Sequence, residues 1–268
     1  MASFEGKTGF VTGGGTGIGL ACARAIVDGG GAVVLGGRRE DVLRQAAESL
    51  GSAAAFTRCD VTEDDSVDAA VEFASKQFGG QSGGLQLAVN CAGVGSIGSV
   101  LNSTPEEFSR TLDTNLTGVF RCLRAEARTM KATGGGSIVN ISSIAGTRTH
   151  RWMSAYCASK AGLNMLTCCA ADDLGEHGIR VNAVGPSLVP TDLAAPLTGA
   201  EPAVEEYLRR IPIGRIGTTA DIAAAVAFLL SDEAGWVTGQ CIGIDGGHDV
   251  RQGPDLVPLF QNVLPEER

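Results

Sequence analysis

GFVTGGGTGIGLACA, residues 9–23, sets a short strand-like run against a glycine-rich turn and then an apolar helical start. Glycines at such a turn let backbone N–H groups approach a diphosphate, which the positive amino end of the helix then stabilises. The spacing is not GxGxxG, because that pattern would need glycine at Ile18; it runs Gly13-xxx-Gly17-x-Gly19. Glycines alone are equally consistent with a tight loop, and it is the flanking strand and helix that favour a nucleotide. The candidate cradle is Gly13, Gly15, Thr16, Gly17, Ile18 and Gly19.

The next strand-like run, AVVLG (32–36), tests the idea. A dinucleotide fold that prefers NAD ends this strand with a carboxylate for the ribose hydroxyls. Here Gly37-Arg38-Arg39 follows instead. A guanidinium suits the 2′-phosphate of NADP through charge-assisted, bidentate hydrogen bonds. NADP(H) is therefore the favoured cofactor. Glu40-Asp41 leave a solvated charged turn, and with it NAD(H), as the alternative.

Further out, strand-like runs recur at AAFTRCD (54–60), LQLAVNCAG (85–93), GSIVNISS (136–143), IRVNAVGP (179–186) and CIGID (241–245). Most are apolar without alternation, as strands buried on both faces should be. Helical stretches separate them, two with readable starts: Thr104-Pro105-Glu106-Glu107, and more weakly Thr218-Thr219-Ala220-Asp221. This alternation predicts an α/β, Rossmann-type doubly wound fold, a seven-stranded parallel sheet with helices on both faces. The 268 residues make one domain, 1–268. Residues 187–217, rich in Pro, Leu and Ala, break the rhythm and are expected to form a substrate loop, and 248–268 form a Pro-punctuated tail.

Composition narrows the function classes. A formal net charge of −9 repels phosphate backbones, so nucleic acid is not an expected partner. No run approaches the ~18–20 apolar residues of a membrane span, and MASFEGKTGFVTGGG lacks the basic and apolar regions of a secretory leader. Eight Cys include no CxxC pair, which fits a reduced, cytoplasmic protein. His150, His177 and His248 are too scattered for a metal site.

In its motifs the chain resembles the short-chain dehydrogenase/reductase family. TGGGTGIG is similar to that family's TGxxxGxG turn, and Asp60-Val61 to its adenine-contacting pair. Asn90-Cys91-Ala92-Gly93 resembles its NNAG strand end, with Cys in place of the second Asn. Asn115 in Asn-Leu-Thr-Gly resembles its helix Asn, Ser143 its catalytic Ser thirteen residues before Tyr156, and Tyr156-Cys-Ala-Ser-Lys160 its YxxxK. The likeness spans residues 5–247 in order and spacing. One departure is Pro186-Ser187, where the family has Pro-Gly; Val189-Pro190-Thr191 still resembles its V-x-T, whose Thr contacts the carboxamide. The 21-residue tail beyond Gly247 is another.

The resemblance implies hydride exchange between a nicotinamide and a ketone or secondary alcohol. Tyr156 and Lys160, at i and i+4, share a helical face. A phenol near pKa ~10 needs help to exchange protons at neutral pH, and an adjacent ammonium is expected to lower that value. Ser143 would hold the carbonyl oxygen, Lys160 the nicotinamide ribose, and Asn115 a water that links Lys160 to solvent. Ser142 could take the place of Ser143, and Asn115 could simply satisfy helix backbone. His150 and Trp152 either line the pocket or sit in its loop.

Three other readings compete. A 3-oxoacyl-thioester reductase serving a carrier protein would dock an acidic partner, against which Asp172, Asp173 and Glu176 weigh, while a CoA thioester stays open. A non-catalytic nucleotide-binding scaffold or sensor would be expected to have lost Tyr, Lys or Ser. An enoyl or dienoyl thioester reductase of the kind that dispenses with the Tyr is disfavoured by Tyr156. The helix after Ala155 is apolar nearly all round, so both faces should be covered. A homo-oligomer, the family's tetramer, supplies the second cover, with the tail as the alternative.

Overall fold

In a computed structural model describing residues 2–78, 84–253 and 256, seven parallel strands form one sheet. In chain order the elements begin β1 (Thr8–Thr12), α1 (Gly17–Asp28), β2 (Ala32–Gly37), α2 (Glu40–Leu50), β3 (Ala54–Arg58), α3 (Asp64–Gln77) and β4 (Leu87–Asn90). They continue with α4 (Pro105–Leu112), α5 (Gly118–Ala132), β5 (Gly136–Ile141), α6 (Ser154–Leu174) and β6 (Ile179–Pro186). Then come α7 (Ala195–Thr198), α8 (Glu201–Arg210), α9 (Thr219–Leu230) and β7 (Cys241–Ile244). The strand order is β3-β2-β1-β4-β5-β6-β7, the doubly wound arrangement expected from the sequence.

Alternate strand residues feed two cores. Val11, Val33, Leu35, Val139 and Val184 pack with α1, α2 and α9, while Phe10, Val34, Ala88, Ile138 and Val181 pack with α3, α5 and α6. Each fully buried aliphatic chain contributes roughly 1.5–3 kcal/mol. Burial on both faces is why these strands read as unbroken apolar runs.

Because β1 is flanked by β2 and β4, the winding reverses there and a crevice opens at the carboxyl ends. β4 stops at Asn90, shorter than the 85–93 run. The Thr12 hydroxyl captures the N–H groups of Cys91 and Ala92, so the chain peels off the ladder. Thr104 and Thr218 both close full capping boxes, with Glu107 and Asp221 respectively.

Helix α6 has one face covered within the chain and one open. One face packs on the sheet through Ser159, Leu163 and Thr167, but Ala158, Ala161, Met165, Cys168 and Cys169 are exposed in the single chain. The described start of the tail does not run over them: Asp249 bonds Thr147 and Arg148, and Arg251 bonds the Arg209 carbonyl. Beyond 253, apart from Leu256, the tail lies outside the described residues.

Candidate active site

A cleft of about 550 Å³ opens over the carboxyl ends of β1–β6. Its floor at one end is the β1–α1 turn, where Gly13, Gly15, Thr16, Gly17 and Ile18 line it. Gly17 has φ +55°, a left-handed backbone that side chains rarely adopt, and a Cβ there would meet Thr191 at 3.0 Å. Gly19 does not line the cleft; a Cβ on it would sit 2.3 Å from the Gly13 carbonyl, so glycine lets α1 close onto the turn. Thr16 caps α1 without a side-chain hydrogen bond, and the first turn holds no acidic residue. The helix therefore presents N–H groups and positive potential to the cleft, as a diphosphate requires.

Arg38, Arg39, Asp60 and Val61 line the neighbouring part. Burial works to raise the Asp60 carboxyl, but hydrogen bonds from Thr62 and the charges of Arg38 and Arg58 outweigh it and hold it below its usual range. Arg39 reaches Asp192 at 3.8 Å, both well exposed. Ala92 and Gly93 line the centre, and Asn90 does not. Asn90 is buried one step below, where its amide donates to Glu126 and Asn140, each at 3.0 Å. On the far side stand Pro186, Val189 and Thr191. These groups fit a nicotinamide dinucleotide: an uncapped helix end, a glycine cradle and two guanidinium groups at the β2 end.

Ser143, Tyr156 and Lys160 converge where β5 ends. The two serines point to different partners. Ser142 is buried and donates to Asn164 at 2.6 Å, whereas the Ser143 hydroxyl accepts from Ala145 N–H and lies within hydrogen-bonding reach of Tyr156. Lys160 is buried, donates to the Ile141 carbonyl at 2.8 Å and stands 5.7 Å from the Tyr156 ring centre.

The expected lowering of the phenol does not appear. Burial raises Tyr156 to about 12, against the pull of Ser143, and burial lowers Lys160 to about 8. Loss of water disfavours the charged form of each group, and for both it is the largest cause.

Asn115 also lies off the cleft, in a π-helical turn (Asp113–Thr117) between α4 and α5. It is fully buried, accepting from Val94 N–H (2.8 Å) and donating to the Val94 carbonyl (2.9 Å) and Ser159 Oγ (3.2 Å). Its hydrogen bonds thus reach the neighbour of Lys160 and not Lys160 itself.

The remaining wall comes from 187–217. Ser187, Asp192, Leu193, Leu197 and Tyr207 line the cleft, joined by His150 and Met153. Trp152 does not line it; it is exposed and adopts φ +66°. Tyr207 escaped the sequence reading, although being the only other Tyr in the chain was a usable signal.

Comparison with known proteins identifies the family. A family profile described as enoyl-(acyl carrier protein) reductase matches residues 13–249. A 3alpha-hydroxysteroid dehydrogenase of Mediterraneibacter gnavus is 38% identical over 90% of this chain and 96% of its own. A 3-oxoacyl-[acyl-carrier-protein] reductase of Chlamydia muridarum is 34% identical over 90% and 96%. The structure of a short-chain type dehydrogenase/reductase from Mycobacterium ulcerans superposes with a TM-score of 0.89 at 39% identity, covering 97% of this chain and 96% of that one. The chain belongs to the short-chain dehydrogenase/reductase family. It is accordingly an NAD(P)-dependent oxidoreductase acting on the CH–OH/C=O couple. No helix among the described residues is long and apolar enough to cross a membrane.

Proposed function

We propose that this protein is an NADP(H)-dependent oxidoreductase that interconverts a ketone and a secondary alcohol, with Tyr156 as general acid–base. The observation that carries the reading is the meeting of Ser143, Tyr156 and Lys160 at one end of a cleft whose other end is the β1–α1 turn. A bound nicotinamide supplies or accepts the hydride. Tyr156 gives its phenol proton to a carbonyl oxygen being reduced, and takes a proton from an alcohol in the reverse direction. Ser143 donates to the same oxygen as charge develops on it. The Lys160 ammonium, held by the Ile141 carbonyl, stabilises the phenolate that remains. Asn115 is a positioning residue that acts through Ser159 on the turn of α6 carrying Lys160.

NADP(H) is preferred over NAD(H) because Arg38 and Arg39 stand at the β2 end, with no carboxylate in the place that binds ribose hydroxyls. Gly13, Gly15, Thr16, Gly17, Ile18 and Gly19 form the diphosphate cradle, with Asp60 and Val61 towards the adenine. Ala92, Gly93, Pro186, Val189 and Thr191 flank the nicotinamide, and Asn90 supports that wall from beneath. Residues 1–268 are assigned to one domain, with 187–217 and the described tail residues 248–253 shaping its substrate end. The exposed apolar face of α6 supports a homo-oligomer, in the family's tetrameric form. Eight free thiols support a reducing, cytoplasmic setting. A carrier-protein substrate has less support, since Asp172, Asp173 and Glu176 are exposed where α6 ends.

Tyr156→Phe tests the mechanism. NADPH affinity should stay within about threefold, while turnover of a ketone panel falls by ~10²–10⁴. Turnover equal to wild type would remove Tyr156 from the chemistry.

A further inference from the structure

The chain contains only two tyrosines and three histidines, and four of these five rings gather at one place. Tyr156 and Tyr207 line the same cleft, and His150 lines it beside them. The Tyr207 ring lies edge-on to His248 at 5.4 Å between centres and tilted against His150 at 6.2 Å. His248 is buried and shares a 2.8 Å hydrogen bond with the hydroxyl of Ser187, the residue that replaces the family glycine. Tyr207 is thereby anchored on two sides, although α8 carries it in from outside the sheet.

The anchoring leaves the polar tips unused. Tyr207 makes ring contacts but no hydrogen bond among the described residues. His150 Nδ1 faces the Arg148 carbonyl at 3.2 Å. A carbonyl only accepts, so Nδ1 carries the hydrogen, and in the neutral imidazole Nε2 is then the acceptor. A phenol donor and an imidazole acceptor thus border a cleft whose wall includes the apolar Met153, Leu193 and Leu197. A hydroxyl group, both donor and acceptor, matches that pair; a hydrocarbon leaves it unsatisfied.

We infer that Tyr207 and His150 form a second polar subsite, and that the preferred substrates are secondary alcohols or ketones carrying a further hydroxyl on a compact apolar frame. This rests on the ketone–alcohol reading above. Tyr207 is a specificity-determining residue here: it binds substrate away from the reacting carbon and takes no part in proton transfer. A site built to hydrogen-bond a hydroxyl discriminates strongly against the analogue that lacks it.

The test compares cyclohexanol with the 1,2-, 1,3- and 1,4-cyclohexanediols, using NADP and NAD. Wild type should favour at least one diol over cyclohexanol by tenfold or more in kcat/KM, chiefly through KM. In Tyr207→Phe, which keeps the ring between the two imidazoles, that ratio should collapse towards one. Thermal unfolding of the variant checks that the fold is kept, and calorimetric titration with the favoured diol should show the same loss in affinity. Turnover of all four compounds without preference, or a preference that survives Tyr207→Phe, would overturn the subsite and leave the parent reading intact. No turnover of any alcohol with either cofactor would overturn the parent reading, and the subsite with it.

Discussion

Arg38 stands at the β2 end with its charge close enough to Asp60 to help hold that carboxyl ionised. Its neighbour Arg39 meets Asp192 only at 3.8 Å across an exposed gap, a pairing worth little in water. Both guanidinium groups are therefore available to a phosphate. A charge-assisted hydrogen bond contributes about 1.5–3 kcal/mol, or roughly ten- to a hundredfold in affinity. Arg38→Ala should weaken NADPH by that factor and NADH by less than about threefold, as measured by fluorescence titration. An equal loss for both cofactors would mean that Arg38 does not read the 2′-phosphate. Residue by residue, the sequence disclosed most of the groups that line the candidate cleft, because turn, strand ends and YxxxK have fixed spacing. It did not disclose Tyr207, which a different helix brings beside Tyr156 from 51 positions away. Nor did it disclose that the Asn115 amide is spent on Val94 and Ser159.

Among the elements, α5 holds the least expected group. Glu126 is fully buried against the sheet, with the Asn90 amide on one oxygen and no partner for the other among the described residues. A helical pattern assigns Glu to the solvent face, so nothing in the sequence marked it. Burial raises its carboxyl to about 8, against the pull of Asn90. The folded state thus holds the proton more tightly than the unfolded chain does. Stability is full below the unfolded value near 4.5, falls as pH rises towards 8, and levels off above that. Over this window the cost is on the order of 4–5 kcal/mol at most, from ~1.4 kcal/mol per pKa unit. Glu126→Gln gives the buried pair a neutral amide with a donor. Its Tm should exceed that of wild type at pH 9, and the gap should narrow by pH 5. A gap independent of pH would show that Glu126 does not titrate there. The elements themselves were legible: seven apolar runs became seven strands, and both threonine caps formed. What α6 packs against was not, because an apolar helix face does not say whether the same chain covers it.

Across the whole molecule, the parallel sheet sends the cleft-lining groups to one rim. The glycine turn, Arg38, Asp60, Gly93, Ser143 and Thr191 all follow the carboxyl end of a strand. The opposite rim carries connections such as Gly51-Ser52, exposed between α2 and β3, where a Cβ on Gly51 would touch nothing. Wiring and workbench thus occupy separate poles. A flexible peptide of about ten residues inserted between Gly51 and Ser52 should leave steady-state kinetics within about twofold. The same insert after Leu193 should abolish them. Through that silent pole the enzyme could be tethered to a surface or fused to a second catalyst while its mouth stays open to solution.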